Sequence, residues 1–131
     1  MFSIEEIRKA EQKVKTGADF PQLAKDLKDL GVLRFDVYVI NGMSTYFGDD
    51  DHAEQGAPMY EDLLIEEESS LAELQEALKI HQHGASDYQT FCRQVAGAGI
   101  EKWIVDLKEM TVSYIDTAGN ELLVEHIPVL S

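Results

Sequence analysis

Residues 33–42 read LRFDVYVING, and apolar side chains occupy every second position from Leu33 to Val39. Successive side chains of a β-strand point to opposite faces, so this period of two predicts a half-buried strand. The Asn-Gly pair at 41–42 tolerates positive φ angles and favours a two-residue hairpin turn, from which a second strand returns over 43–47. The pattern therefore predicts an antiparallel sheet.

Two amphipathic helices are predicted before this strand. The first begins at the S-x-x-E capping box of residues 3–6 and is expected to end at the Thr-Gly pair at 16–17. Asp19 and Gln22 repeat the capping pattern at the start of the second helix, which ends at Gly31. A helix pair followed by an antiparallel sheet is typical of the α+β class.

The chain after the hairpin predicts a loop, one more strand and then a second set of the same elements. Residues 48–58 are polar and acidic, which indicates a loop, whereas the apolar run within 60–66 predicts a short strand. Ser70 and Ser86, each followed three residues later by Glu or Gln, predict the caps of two further helices. Three strands are expected after these helices, at about 102–107, 110–116 and 121–127.

The two halves of the chain match each other at a shift of 67 or 68 residues. The matched pairs include Ser3 with Ser70, Glu6 with Glu73, Gly17 with Gly84, Gly31 with Gly99, Phe35 with Trp103, Met43 with Met110 and Phe47 with Tyr114. We predict an internal duplication, with pseudo-repeats at about 3–66 and 70–127 within one domain over 1–131. The alternative is convergence of two helix-helix-hairpin segments on the same caps and apolar spacing.

The predicted fold class is therefore α+β. Two related helix-helix-strand-strand-strand halves would lie about a pseudo-twofold axis, with their helices packed on one side of a mainly antiparallel sheet. A half of about 65 residues is marginal alone, so the two halves are expected to fold together.

The composition limits the class of partner. Of 131 residues 44% are hydrophobic, which suits a globular core, and 25 acidic against 11 basic residues give a net charge of −14. Nucleic-acid binding relies on clustered Lys and Arg, so this balance argues against it. Residues 35–68 contain acidic side chains but no Lys or Arg. Such a segment attracts a basic partner, or simply keeps the surface solvated.

The cysteine count and the apolar runs predict a cytoplasmic protein. Cys92 is the sole cysteine, which excludes a disulfide within the chain and a multi-thiolate zinc site and favours a small apolar core residue. The first residues do not have the basic and apolar regions of a signal peptide. No segment reaches the roughly 20 apolar residues of a transmembrane helix. We therefore expect no membrane partner.

The segment His81-Gln82-His83, followed by Asp87, comes nearest to a chemical site. Imidazole and carboxylate groups are ligands for zinc and other transition metals. Residues two apart on a helix point about 200° apart, so the histidines converge only if the helix ends at Gln82. The favoured interpretation is structural, with His81 packed on the apolar stripe and His83 interacting with the helix dipole. No catalytic, cofactor-binding or metal-binding residue is assigned, and no cofactor is expected.

Other patterns are weaker. Asp49–Asp51 with Glu54 does not satisfy the calcium-loop pattern, because the sixth and twelfth positions hold Glu54 and Tyr60 instead of Gly and Glu. Walker, G-x-S-x-G and G-x-G-x-x-G motifs are absent from the sequence. The strand aromatics are interpreted as core or sheet-face residues, with an aromatic cleft between the repeats as the alternative. These aromatics are Tyr38, Tyr46, Phe47, Trp103 and Tyr114.

Several segments together carry a family resemblance. They read KTGADFP at 15–21, VYV at 37–39 with YFG at 46–48, HQHG at 81–84, DYQTFC at 87–92 and GIEKW at 99–103, followed by Met110-Thr111. They resemble the YbcV-like family, a bacterial and prophage domain of unknown function (number 1398) whose members are sometimes labelled phage envelope protein. The resemblance covers nearly the whole chain and implies a phage-derived origin. It supplies no catalytic residues.

Three functional hypotheses follow. The first is a small non-catalytic binding or interaction protein, expected to form a homodimer and to bind a protein partner. The second is a small-ligand or metal-binding protein, or an enzyme, that uses a cleft between the two halves near His81, His83 and Asp87. The third is a role in a virion.

Overall fold

The structure, a computed structural model, describes residues 2–128, in which two helices and three strands occur in the same order twice. The helices are α1 (Ile4–Glu11), α2 (Phe20–Leu30), α3 (Leu71–Gln82) and α4 (Tyr88–Gly97), with a short 3-10 helix at Gly17–Asp19. The strands are β1 (Arg34–Tyr38), β2 (Ser44–Phe47), β3 (Ala53–Gln55), β4 (Ile100–Asp106), β5 (Thr111–Asp116) and β6 (Glu121–His126). The predicted α+β class is confirmed.

The six strands form one antiparallel sheet in the order β3-β2-β1-β4-β5-β6. The first half supplies three neighbouring strands and the second half the other three. They join where β1 pairs with β4, with Asp36 opposite Ile104 at the middle of that ladder. The sheet is compatible with two related halves, and the duplication stays a prediction.

The strand pairing fixes how the two halves correspond. Phe35 lies opposite Tyr46 in the first hairpin, and Trp103 lies opposite Tyr114 in the second. Since Phe35 and Trp103 are 68 residues apart, Tyr46 and not Phe47 takes the place of Tyr114. The shift of 67 predicted for this hairpin is therefore off by one residue.

The turn after β1 is longer than predicted. The amide of Tyr38 donates to the carbonyl of Met43 at 2.9 Å, so four residues separate the paired positions instead of two. Of the Asn-Gly pair only Gly42 has a positive φ, of 72°, and Met110 has a φ of 58° at the corresponding place of the second hairpin. Asn41 instead accepts the Met43 amide through Oδ1 at 3.0 Å.

The S-x-x-E pattern begins a helix in both halves, as predicted. Ser3 Oγ accepts the amide of Glu6 at 3.2 Å while Glu6 Oε1 accepts that of Ser3 at 3.1 Å. Ser70 Oγ accepts an amide of the first turn of α3 at 3.2 Å. α1 ends at Glu11, however, earlier than the stop predicted at 16–17.

The other two predicted caps differ in outcome: Asp19 is the N-cap residue of α2, as predicted, but its side chain makes no capping bond, and the cap predicted at Ser86 is wrong. Asp19 Oδ2 accepts the amides of Lys15 and Thr16 at 2.8 and 3.3 Å, so this side chain closes the turn before it and leaves α2 without a side-chain cap. α4 is capped by Asp87 rather than Ser86, since Asp87 Oδ1 accepts an amide of the first turn at 2.7 Å. Local hydrogen bonds compete with capping at Asp19, whereas at α4 the neighbouring Asp87 takes the position that the pattern assigned to Ser86.

The strand predicted at 60–66 does not form. β3 lies instead at 53–55, inside the predicted loop, where Gln55 is opposite Thr45 of β2. Residues 56–69, which we call the strap, then run from β3 to the start of α3 without regular secondary structure. The amide of Gly56 still donates to the carbonyl of Ser44 in β2 at 2.9 Å. The later amides of the strap donate to the β1–β2 loop and to α4 instead of to a strand.

Buried side chains from the helices and from alternate strand positions form one hydrophobic cluster. The strand residues in it are Phe35, Val37, Tyr46, Ile100, Trp103, Val105, Val112 and Tyr114. On the opposite face Asp36 is 6% exposed, and Arg34 Nε lies 3.2 Å from its Oδ1. Within residues 2–128 the longest helix, α3, has 12 residues, and no helix is long and apolar enough to cross a bilayer.

Candidate functional site

His81, His83 and Asp87 each have a separate local role. His81 Nδ1 lies 3.3 Å from Ser86 Oγ, and its ring stacks on Phe91 with centroids 4.2 Å apart. His83 Nδ1 donates to the carbonyl oxygen four residues earlier at 2.6 Å, and Asp87 caps α4. Across residues 2–128 no three His, Cys, Asp or Glu side chains are grouped so that they could hold a metal ion.

His81 is a packing residue where the two halves meet. A Cβ on Gly17 would clash with the His81 carbonyl oxygen and lie 2.6 Å from its Cδ2, so the 3-10 helix of the first half rests directly on α3. Burial lowers the pKa of His81, although Ser86 and Asp87 act in the opposite direction. The lowered pKa favours the neutral form of the ring. This geometry agrees with the interpretation of His81 as a hydrogen-bonded core histidine.

A carboxyl-phenol pair that the sequence analysis missed links α1 to β2. Tyr46 is 2% exposed, and its hydroxyl donates to Glu11 Oε2 at 2.7 Å. Burial raises the pKa of Glu11, while the hydrogen bond from Tyr46 and the charge of Arg8 act in the opposite direction. Burial also raises the pKa of Tyr46, and the neighbouring carboxyl group adds to that effect. The two residues are 35 positions apart, so no local pattern indicates the pair.

We expect Glu11→Gln to stabilise the protein relative to the wild type at pH 7, and this advantage to shrink as the pH falls. The folded-state pKa of Glu11 lies above its unfolded value, so the wild type loses stability as the pH rises from about 4.5 through that raised pKa. Glutamine resembles the protonated acid and does not titrate. Urea unfolding of both proteins from pH 4 to 8 measures the difference between their free energies of unfolding. The contributions of the other carboxylates are common to both proteins and cancel in this difference.

The matching variant Tyr46→Phe tests the hydrogen bond itself. It removes the donor and leaves a half-buried acceptor unpaired, which costs about 1–3 kcal/mol. A Glu11→Gln advantage that grows as the pH falls would contradict the raised pKa of Glu11.

Cys92 is fully buried on the inner side of α4. Burial raises the pKa of its thiol, and the hydroxyls of Tyr60 and Tyr88 beside it only partly offset that effect. Reactive cysteines need an accessible thiolate. Cys92 therefore serves as a small core residue, as the sequence analysis favoured.

The strand aromatics divide between the two faces of the sheet. Trp103, Tyr46 and Tyr114 are buried in the core. Tyr38 and Phe47 lie on the other face, where Lys102 and Arg34 sit over their rings at 5.8 and 4.5 Å from the centroids. They do not line one shared cleft, so the alternative interpretation of an aromatic cleft is wrong.

The strap is fixed to the rest of the protein at both ends. The amide of Met59 donates to the carbonyl of Asn41 at 2.8 Å, and that of Leu63 donates to Ile40 at 2.7 Å. Further along, the amide of Glu66 donates to a carbonyl of α4 at 3.0 Å. These bonds hold the backbone on both sides of residue 64.

Side chains of the strap point alternately inward and outward. Tyr60 donates its hydroxyl proton to the carbonyl of Val39 at 2.7 Å, and Leu63 and Ile65 pack against the core. Leu64, between them, is 85% exposed. Leu64 therefore faces solvent while the partly buried side chains on either side of it face the core.

The surroundings of Leu64 are acidic. The exposed carboxylates of the strap are Glu61, Asp62, Glu66, Glu67 and Glu68. Lys and Arg do not occur anywhere in residues 35–68. The strap therefore presents an apolar side chain within a strongly negative surface.

Comparison with known proteins identifies the family. A family model described as "Protein of unknown function (DUF1398)" matches residues 8–126. The match confirms the resemblance to domain number 1398 and carries no phage or envelope label. The comparison with curated proteins found no match.

Proposed function

We propose that this chain, which belongs to the DUF1398 family of proteins of unknown function, is a non-catalytic binding protein that presents the strap to a basic protein partner. The observation that carries the proposal is Leu64, which is 85% exposed between two residues packed on the core. The groups that could do chemistry have structural duties that support a non-catalytic role: His81 packs, Asp87 caps a helix and Cys92 is buried.

Burying Leu64 supplies apolar binding energy. Full burial of a leucine side chain is worth about 1.5–3 kcal/mol. Because backbone hydrogen bonds already hold the strap, a partner meets a preformed surface and little further ordering is needed.

The charge of the strap defines the chemistry of the partner. The strap has five exposed carboxylates, and residues 35–68 contain no Lys or Arg. Such a surface repels an acidic partner and attracts a basic one. Complementary charge accelerates association and is screened by salt. We therefore expect a partner with an apolar pocket ringed by Lys and Arg, and an affinity that falls as ionic strength rises.

Site-specific photo-cross-linking in the producing cells tests the proposal. A photoreactive phenylalanine analogue replaces Met59, which is 63% exposed on the strap. We expect one discrete cross-linked adduct. Adding Leu64→Ser should reduce its amount at least about tenfold, because a loss of about 1.4 kcal/mol or more of binding free energy lowers the affinity by that factor. Leu64→Ser should change the free energy of unfolding by no more than about 0.5 kcal/mol, since the side chain is exposed.

The matched control is Val124→Ser, at an apolar side chain that is 43% exposed on β6. It should leave the adduct unchanged, whereas Glu66→Lys with Glu67→Lys and Glu68→Lys should abolish it. Equal losses for Leu64→Ser and Val124→Ser would overturn the proposal. An adduct of twice the mass of the chain would do so as well, because it identifies a second copy as the occupant of the strap.

The homodimer expected from the sequence stays a prediction. Sedimentation equilibrium of the full chain tests it independently of the strap, because the mass in solution reports association through any surface.

A further inference from the structure

The sheet has a second face, opposite the one that packs on the helices. Core side chains such as Trp103 alternate along the inner strands with side chains of this second face, which we call the open face. On β1 and β4 it consists of residues 34, 36, 38, 102, 104 and 106. Four apolar side chains of the open face lie outside the core cluster and are each partly exposed. These are Tyr38, Phe47, Ile104 and Ile115.

The open face has balanced charge although the protein is strongly acidic. On the four inner strands its charged side chains are two of each sign, namely Arg34, Lys102, Asp36 and Asp106. Two copies of the chain, each with a net charge of −14, repel one another over most of their surface. Contact between two copies is therefore opposed least where their open faces meet.

The charges are also placed so that the open face complements itself. Arg34 lies opposite Asp106 at one end of the β1–β4 ladder, and Tyr38 lies opposite Lys102 at the other end. A twofold axis across the strands, through the middle of the ladder, sets Asp106 over Lys102 of the second copy and Arg34 over the ring of Tyr38. A twofold axis along the strands sets Arg34 over Asp106 and Lys102 over Tyr38. Both arrangements pair opposite charges and place a cation on an aromatic ring.

We propose that the open face is the interface through which two copies of this chain form a homodimer. Ile104 is the apolar centre of the face, between Asp36 and Ser113 of the neighbouring strands. Asp36 is 6% exposed and lies 3.2 Å from Arg34 Nε, so its charge is already paired within the chain. Val124 lies at the rim, on the edge strand β6, where substitutions have small effects on association.

The stacking of two sheets supplies the geometry of this dimer. Two antiparallel sheets pack face to face about 10 Å apart, with their strands within about 30° of each other. The helices of both copies would then lie on the outside of a four-layer assembly. The strap is not part of the open face, so the proposal does not rest on the basic protein partner.

Sedimentation equilibrium of the full chain tests the proposal. We expect the wild type to dimerise with a dissociation constant of about 1–100 μM. Ile104→Glu should raise the dissociation constant at least about a hundredfold, because each copy then contributes an unpaired carboxylate to the desolvated centre of the interface. Lys102→Glu should raise it about threefold to thirtyfold, because it removes the cation that faces Asp106 or Tyr38 of the second copy.

The matched control is Leu64→Glu, which places the same charge on the exposed leucine of the strap. It should leave the dissociation constant within about threefold of the wild-type value. Circular dichroism shows whether Ile104→Glu is folded, and if it is not, Ser113→Glu on the neighbouring strand takes its place. A wild type that remains monomeric throughout this concentration range would overturn the proposal. A dimer that survives the glutamate at the centre of the open face, or that Leu64→Glu weakens equally, would place the interface elsewhere and overturn it too.

Discussion

We expect Trp103→Ala to lower the free energy of unfolding by about 3–5 kcal/mol, the range typical of truncating a buried aromatic side chain. Trp103 is 6% exposed at the middle of β4. Its ring centroid lies 5.7 Å from that of Phe91, 6.3 Å from that of Tyr114 and 6.4 Å from that of Tyr88. These rings come from α4 and β5, so the cavity left by the indole borders both layers and cannot close by the movement of one side chain.

Urea unfolding measures this loss. Trp103 is the only tryptophan, so circular dichroism must replace fluorescence as the probe in both proteins. The control Val124→Ala changes an apolar strand residue that is 43% exposed, and its effect should stay within about 0.5 kcal/mol. A loss of less than about 1 kcal/mol for Trp103→Ala would contradict the position of this ring in the core.

The order of helices and strands could be predicted from the sequence because the signals are local. The capping box of Ser3 and Glu6 involves residues three apart, and the alternation from Leu33 to Val39 lies within one strand. The prediction of a side-chain cap failed where the side chain had other backbone amides within reach. Asp19 bonds to amides before it rather than after it, which the spacing alone does not indicate.

The strap could not be predicted, because a strand needs a partner as well as a pattern. Leu63, Leu64 and Ile65 form the kind of apolar run that suits a buried strand. The free edge of β2 is already paired with residues 53–55, so the run lies instead across the β1–β2 loop and the end of α4. One consequence is that Leu64 is exposed. The pattern of the sequence alone does not indicate which residue of the run faces solvent.

The candidate sites also depend on contacts between residues that are far apart in the sequence. The sequence drew attention to His81 and His83 because they are adjacent in the chain, yet the structure gives them different partners. Glu11 and Tyr46 form a buried pair from elements far apart in sequence.

Gly99→Ala is expected to lower the free energy of unfolding by about 2–5 kcal/mol, for two separate reasons. Gly99 has a φ of 81°, a left-handed conformation that costs a residue with a Cβ about 1–2 kcal/mol. A Cβ there would also lie 2.6 Å from the carbonyl oxygen of Glu68 and 2.7 Å from Cα of Ser69. Both are backbone atoms of the strap, and displacing them adds about 1–3 kcal/mol.

Two other glycines separate these causes. Gly31 ends α2 with a φ of 104°, but the nearest atom to its Cβ would be Phe2 Cδ2 at 4.0 Å, so Gly31→Ala should cost only the strain of about 1–2 kcal/mol. Gly97→Ala, at the last residue of α4 with open space around it, should stabilise the helix by no more than about 0.5–1 kcal/mol. Urea unfolding of the three variants measures their free energies of unfolding, which should be lowest for Gly99→Ala, higher for Gly31→Ala and highest for Gly97→Ala. Equal losses at Gly99 and Gly31 would mean that the strap yields freely, and Leu64 would then not be held rigidly for a partner.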